Sequence, residues 1–547
     1  MSQNNNVQDK GDDDNVSDLE KKTLDENLDM DQCLEYVNPK GKYQLILFSI
    51  LLLQGIVGSF VFVGGPYFFQ DPIFICQDGS TCSQEDACKQ GNYSISDSSN
   101  HTLTLQFDLY CDRQYLKNLS LSFIFIGSLC GTFFFSFLSD LKGRKLPMII
   151  SWAFSVLGIG ILAFSQNYAM IFVGQFLGGF GIYPTSTLAF IVMSEQSTGN
   201  FRKVATGYLL LGYTLSEGSI NLLGFLFNND WKILIRYWLF IPSIILWFPL
   251  FYLIESPRFY LNKDKEKVLD CLNKIGARNT KKSYQAAPLQ LTKEQINFHK
   301  YSLIKKKEVY SYLTLFKYKS TRWITIACSI QKFLMIFVNY GTQFSLSDFG
   351  FNIYINATIG FLAEMVCFGF LVKVLNTFKR KPSALFFQIL SSIFCLLFIA
   401  FPIPDSCKNS SCYQKYVQIL LFLLSKMSIN SYFVVISTYF PELYPTSVRS
   451  LGVGFIRATG ISGSILSSFA ISWSKELGIS PLVSFGIIGS FGIIFGFYLP
   501  ETQNQPLQDE IIEIKHQKNS LLEVDAYQAV SKISDTYNNQ LSNQSDD

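Results

Sequence analysis

Four ionisable side chains stand deep inside apolar stretches of the chain: Glu217, Lys332, Glu364 and Arg457. If such a stretch crosses a bilayer, a charge at its centre costs about 2.5–3.5 kcal/mol on translocon scales, so the residue is kept for a task or a partner. Two bases and two acids allow three kinds of chemistry. Lys332 and Arg457 can hold the carboxylate or sulfate of an organic anion, the guanidinium offering two parallel donors. They can instead neutralise Glu217 and Glu364 in structural salt bridges. Burial also raises a carboxylate's pKa, so Glu217 or Glu364 can take up a proton and make activity depend on pH. Tyr340 and Phe433 are the aromatic candidates for lining the same site, and the other aromatics of the 51 Phe and 28 Tyr read as packing.

Bond-breaking chemistry has little to work with. The three histidines, His101, His299 and His516, lie outside the apolar stretches, and no nucleophile stands with a base inside them. A phosphate-cradling Gly-x-x-x-x-Gly-Lys-Ser/Thr loop is absent. No catalytic residue, metal site or cofactor is therefore expected, and the chain does not read as an enzyme. A formal charge of +3, with no long basic run beside aromatics, leaves no footprint for nucleic acid.

The elements that must position these charges follow from composition. Charged residues make up 16% of the chain and hydrophobic ones 48%, against roughly 25% charged in soluble domains, and the surplus calls for a lipid solvent. A spanning helix takes about 20 apolar residues. Six such segments lie near 43–65, 117–138, 146–165, 169–193, 204–227 and 233–254, and six more near 322–345, 353–374, 383–403, 415–438, 448–472 and 481–499. The expected organisation is a disordered cytosolic tail 1–42, a six-helix bundle 43–254 with an extracellular loop 67–116, a cytosolic linker 255–321 containing Lys305-Lys306-Lys307, a second bundle 322–499 and a cytosolic tail 500–547.

Orientation rests on two independent criteria. Basic residues resist translocation, and they gather after segments two, six and eight, at Lys142, Arg144 and Lys145, in the linker, and at Lys379, Arg380 and Lys381. The acidic start of the chain lacks the form of a cleavable signal, and an even number of spans puts both tails in the cytosol. Disulfides and glycans belong to the opposite side. Cys76, Cys82, Cys88 and Cys111 fall in loop 67–116, and Cys407 and Cys412 between segments nine and ten. The same loops hold sequons at Asn92, Asn100 and Asn409, which favours the plasma membrane. Four cysteines allow three pairings, and spacing does not choose among them. Glycines four apart, Gly127/Gly131 and Gly174/Gly178, read as close helix packing.

After segment two the chain reads Ser136-Phe-Leu-Ser-Asp140-Leu-Lys-Gly143-Arg144-Lys145, and Asn376-Thr-Phe-Lys-Arg380-Lys381 echoes it after segment eight. Such repetition points to two related halves with a site between them. The first run resembles the loop signature of the major facilitator superfamily, with Ser136 in place of a usual glycine and Leu141 in place of a usual cation. Further matches are Gly174-Gln175-Phe-Leu-Gly178, Glu195, Glu255-Ser256-Pro257-Arg258, Pro441-Glu442-Leu-Tyr-Pro445-Thr-Ser-Val-Arg449 and Pro500-Glu501-Thr502, several of which resemble those of sugar porters. The organic cation, anion and carnitine transporter family shares more: Phe107-Asp-Leu-Tyr-Cys111, Asn352-Ile-Tyr-Ile-Asn356 leading to Glu364, and Lys426 opening the segment-ten motif. The Gln-Leu-Ser and Pro-Pro-Trp patterns of sugar porters are missing.

The resemblance covers about residues 43–510. It implies an all-α membrane protein of twelve transmembrane helices in two six-helix bundles, carrying a small organic solute by alternating access, with or without a coupling ion. It implies gating at Asp140, Arg144, Glu195, Glu255, Arg258, Glu442 and Arg449, with Asp140 pairing Arg144 and Glu442 pairing Arg449. Lys332 falls where a cavity aromatic is usual, Phe433 matches one, and Ile461 occupies a position that looks like an aspartate in cation carriers and an arginine in anion carriers. Gln175 stands for a usual arginine. A sugar or polyol carrier, or a carrier-fold sensor, is the rival reading.

Overall fold

The computed structural model describes residues 30–503 apart from 39, 78, 83, 97–100, 262, 281–310, 347–351, 403–411 and 446–447. Lys305-Lys306-Lys307, Asn100, Cys407 and Asn409 lie outside the described residues.

Twelve long helices carry the fold: α1 (Lys42–Val63), α2 (Gln114–Lys142), α3 (Lys145–Ala163), α4 (Tyr168–Glu195), α5 (Gly199–Leu226), α6 (Trp231–Tyr252), α7 (Lys319–Phe344), α8 (Ile353–Thr377), α9 (Arg380–Ala400), α10 (Tyr413–Glu442), α11 (Arg449–Glu476) and α12 (Pro481–Tyr498). Their ends are set locally. Asn167 caps α4 by accepting the Met170 N–H at 3.0 Å, Asp230 caps α6 by accepting the Lys232 N–H at 2.9 Å, and Pro481 opens α12. Nine of the described helices are long and apolar enough to cross a membrane by length and composition. The other three are α5, α8 and α11. Polar side chains dilute α5 (Glu217, Asn221) and α11 (Arg457, with Ser462, Ser464, Ser467 and Ser468), while α8 is apolar over Ile353–Cys367.

The helices form two halves, α1–α6 and α7–α12. Inside the first, α2 and α4 approach closely: a Cβ on Gly127 or Gly131 would lie 2.0 or 2.1 Å from the carbonyl oxygen of Phe176 or Phe180, so these glycines serve packing. Between halves, α2 meets α11 and α5 meets α8.

Loop 67–116 folds on itself. Strands β1 (Phe74–Ile75), β2 (Thr81–Cys82) and β3 (Ser94–Ile95) form an antiparallel sheet in the order β2-β1-β3. Disulfides join Cys76 to Cys82 and Cys88 to Cys111, one of the three pairings that spacing allows, and Cys412 is also disulfide-bonded. This end of the molecule is the disulfide face below, and the end holding Arg144 and Arg380 is the arginine face.

The disordered tail expected for 1–42 is corrected over its last part. Met30–Tyr36 is helical, and Met30, Cys33, Leu34 and Val37 bury against Val268, Leu272 and Ile275 of the linker helix Lys265–Thr280. Those four residues follow an i, i+3, i+4, i+7 pattern, a helical stripe that an acidic composition conceals. Asp31 pairs with Arg258, and Asn279 donates to the carbonyls of Val37 and Asn38 at 2.8 and 2.9 Å.

Candidate functional site

The two buried acids meet a cation that was not among the four singled out. Lys426, thirteen residues into α10, bonds Glu217 of α5 and lies 3.4 Å from Glu364 of α8, all three being at most 3% exposed. Its ammonium also donates to Gln343 Oε1 at 2.8 Å. Thr214 donates to Glu364 Oε2 at 3.2 Å, and Asn430 donates to Glu364 Oε1. Asn339 of α7 in turn donates to Asn430 at 3.4 Å. Room for the lysine comes from Gly360, whose added Cβ would stand 3.3 Å from the Lys426 stem. Glu217 and Thr214 belong to the first half and Glu364 and Lys426 to the second, so the cluster spans the seam between them.

Lys332 and Arg457 are left without the acids. Within the 4.0 Å that defines an ion pair, neither meets a carboxylate among the described residues. Of the two readings open for them, the structural salt bridge to Glu217 or Glu364 does not form, because Lys426 stands between the two glutamates. The Lys332 ammonium lies 4.2 Å from the centre of the Phe433 ring, and the Arg457 guanidinium 6.0 Å from that of Phe190 in the other half. The Lys332 stem packs over Gly460, one turn along α11 from Arg457. Both cations act on each other, and Arg457 also acts on Tyr183. Tyr340 of α7 stands edge-on to Phe125 of α2 at 4.8 Å, across the seam. Two cations and a half-exposed aromatic set, Tyr183, Tyr213, Tyr340 and Phe433, thus line the inner parts of the helices, with Tyr340 eight residues, about 12 Å, beyond Lys332 along α7 toward the disulfide face. Arg457 is eight residues, about 12 Å, from Arg449 at the arginine face.

Toward the disulfide face the halves close on each other. Asn118 of α2 donates to Ser472 of α11 at 2.7 Å, and the Ser122 and Ser468 hydroxyls are 2.8 Å apart. Asn221 of α5 donates to the Thr358 hydroxyl of α8 at 2.7 Å, and Tyr67 stacks on Tyr354 at 6.3 Å. These contacts hold the halves together at the disulfide face, and no cross-half ion pair occurs at the arginine face among the described residues.

At the arginine face each half has its own latch. Arg144 pairs with Asp140 at 3.0 Å and with Glu195 at 3.3 Å. Burial opposes its charge, and the Glu195 and Asp140 carboxylates outweigh this and hold its pKa above the usual arginine range. Glu255 accepts the backbone N–H of Arg144 at 2.7 Å, and Arg258 reaches the Glu195 carbonyl at 3.4 Å. Gly143 makes this geometry available: its φ is +95°, and a Cβ there would lie 2.3 Å from Glu255 Oε2. In the second half Arg380 pairs with Glu442 at 3.6 Å. The expected pairing of Glu442 with Arg449 is thus corrected. Arg449 turns back to the carbonyl of Tyr444 at 3.3 Å, while Glu442 takes Arg380 and the Thr502 hydroxyl, which donates at 2.6 Å.

Reading the sequence missed Lys426 as a buried charge, although its depth in segment ten was enough to find it. Gln343, Asn430 and Tyr183 carried no such signal, since neutral polar and aromatic residues abound in these helices.

Twelve helices in two halves, sealed at one face and carrying charges and rings at mid-depth on the seam, make a multi-pass membrane transporter of the major facilitator kind. Residues 75–511 match the sequence model of the Sugar (and other) transporter family, and the chain belongs to that family. It is 27% identical over 425 residues to solute carrier family 22 member 6 of Oryctolagus cuniculus, covering 76% of this chain and 74% of that one. It is 28% identical over 512 residues to solute carrier family 22 member 15-like of Xenopus laevis, covering 90% and 98%. Organic cation/carnitine transporter 4 of Arabidopsis thaliana is 25% identical over 89% of this chain and 91% of its own. Among solved structures, the inward-open xylose transporter XylE from E. coli aligns at a TM-score of 0.59 and 16% identity, covering 85% of this chain and 98% of that one. The chain is a transporter of small organic solutes, not an enzyme.

Proposed function

We propose that this transporter carries organic anions by alternating access, with Lys332 and Arg457 holding the anionic group and Tyr183, Tyr213, Tyr340 and Phe433 enclosing the organic body. One observation carries the reading: Lys426 engages both buried acids, leaving two neighbouring cations without a carboxylate. Deep cations of like sign destabilise each other unless an anion arrives, and the solute supplies it. Glu217 and Glu364 then belong to the seam rather than to the solute. Asp140, Arg144, Glu195, Glu255, Arg258, Glu442 and Arg449 are read as the gate of the arginine face.

The disulfide face is read as extracellular and the arginine face as cytosolic, in the plasma membrane, with both tails in the cytosol. On that reading the molecule is inward-open, the two bundles being residues 43–254 and 322–499, and Asn92, exposed in loop 67–116, is a glycan acceptor. The names of the relatives, which include organic cation/carnitine transporter 4, support organic ions as cargo. A coupling ion belongs to the proposal, and its chemistry is argued below.

Uptake of radiolabelled organic anions, cations, zwitterions and sugars into vesicles carrying the wild type, Lys332→Ala or Arg457→Ala tests it. Anion uptake that falls at least tenfold in both variants is the expected outcome. Movement of cations or sugars alone would sink the anion reading, and no movement of any solute would favour a sensor.

A further inference from the structure

The seam cluster does not balance its charge. Glu217 and Glu364 bring two carboxylates and Lys426 one ammonium, and all three are sealed from solvent. The Lys426 ammonium bonds Glu217 Oε1 and lies 3.4 Å from Glu364 Oε1, so two carboxylates flank one cation. Glu217 Oε2 is buried without a hydrogen-bond partner. Among the described residues, the other groups that face the cluster supply no second cation. Tyr67 of the stretch after α1 and Tyr213 of α5 face Glu217, Cys367 of α8 faces Glu364, and Gln343 and Asn339 of α7 and Thr214 and Asn430 complete the walls. Tyrosine and thiol side chains are ordinarily uncharged near neutral pH, and amides and hydroxyls carry no charge. A lone buried charge is expelled or neutralised, and here one proton neutralises it.

We propose that the closed seam is a proton-binding site, in which Glu217 and Glu364 share a single proton beside Lys426. The proposal rests on the alternating-access reading, because the cluster joins the two halves just below the contacts that seal the disulfide face. When those contacts part, Glu217 leaves with the first half and Glu364 and Lys426 with the second. Water then reaches the carboxylates, and the proton departs to the solution at that face. Closing takes one proton up, and opening returns it, so proton and charge balance over the cycle. By linkage, acid at the disulfide face favours the closed state.

Spin labels on Tyr115→Cys and Leu477→Cys, both exposed at the disulfide face on opposite halves, report the opening as a distance distribution. The measurement uses the full chain in nanodiscs without solute, in a Cys130→Ser background that removes the exposed free thiol. Lowering the pH from about 8 to about 5.5 is expected to shift population from the long to the short distance, with a closed-to-open ratio that changes by up to about tenfold per pH unit, the limit for one proton. Glu364→Gln and, separately, Glu217→Gln leave one carboxylate for one ammonium, and each is expected to stay closed at both pH values. A wild-type distribution indifferent to pH, or a full pH response in both variants, would overturn the proposal. Because no solute is present, its failure stays distinct from a failure of the organic-anion reading.

Discussion

Glu255 and Glu501 hold equivalent places in the two halves. Glu255 accepts the backbone N–H groups of Arg144 and Lys145 at 2.7 and 3.1 Å, and Glu501 accepts those of Arg380 and Lys381 at 3.0 and 3.2 Å. Each carboxylate thus fills the positive N-terminal end of a helix, α3 in one half and α9 in the other. The repeat extends to the side chains, with the Lys145 ammonium donating to the Phe251 carbonyl at 3.0 Å and that of Lys381 to the Phe497 carbonyl at 2.8 Å.

Glu501 sets a pH dependence of stability. Burial pushes its carboxyl up, but bonds from the backbone N–H groups of Gln503, Arg380, Lys381 and Thr502 outweigh that and hold it below the usual carboxylate value. A folded-state value below the unfolded one means stabilisation that is complete above the unfolded pKa of about 4.3 and lost as pH falls through the folded value. Glu501→Gln is therefore expected to lower the apparent melting temperature in detergent at pH 7, and the difference from the wild type is expected to close only as pH falls below the unfolded value and through the lower folded one. A difference that persists in acid would show that the loss is not electrostatic.

The partner of Glu442 can be assigned by a double-mutant cycle. Removing Arg380 and Glu442 singly and together should give a coupling of about 0.5–1 kcal/mol, as for other partly exposed pairs. The same cycle with Arg449→Ala in place of Arg380→Ala should give none, within about 0.3 kcal/mol. Coupling to Arg449 instead would mean that the pair expected from the motif forms in the dominant state.

Arg457→Lys separates charge from geometry. If the guanidinium grips a carboxylate or sulfate through two parallel donors, a lysine keeps the charge and loses the fork. Anion uptake should then show KM raised by roughly tenfold, about 1.4 kcal/mol, with a further loss in Arg457→Ala. Equal uptake by the arginine and lysine forms would leave only a diffuse electrostatic role.

The sequence carried the helices well and the contacts poorly, for a physical reason. Hydropathy is a property of single segments, so α1 and α12 are legible residue by residue without knowing their neighbours. Partner choice is a property of three-dimensional register. Glu217 and Glu364 read as partners for Lys332 and Arg457 only because all four are buried, whereas the structure gives both acids to Lys426 through a gap at Gly360. The Arg449 position was likewise legible and its direction was not, since the chain turns at Pro445 and the guanidinium folds back on Tyr444. The Met30–Tyr36 helix needed knowledge of Val268 and Ile275, more than two hundred residues away.

Gly218 of α5 faces Phe361 of α8 across the seam, and a Cβ there would come within 2.7 Å of the Phe361 ring. Overpacking of this kind costs about 1 kcal/mol or more, and the closed state alone bears it. Gly218→Ala should therefore lower the closed-to-open ratio roughly fivefold, read by the same spin-label pair. An unchanged ratio would mean that the Phe361 ring gives way without cost.

Asn118 and Ser472 supply the last test, because they join the halves only while the disulfide face is shut. Their side chains meet at 2.7 Å between α2 and α11, which makes this pair of positions the one to replace by cysteines. A disulfide there would tie the halves together at one end and leave the arginine face free. Solute uptake by Asn118→Cys/Ser472→Cys should fall to background under an oxidant and return with a reductant, while each single substitution stays indifferent to both. Binding of solute from the arginine face should survive the cross-link, since Lys332 and Arg457 lie on the open side of that contact. Uptake that continues in the cross-linked protein would require a route that never parts α2 from α11, and the rocking of two halves would have to be abandoned.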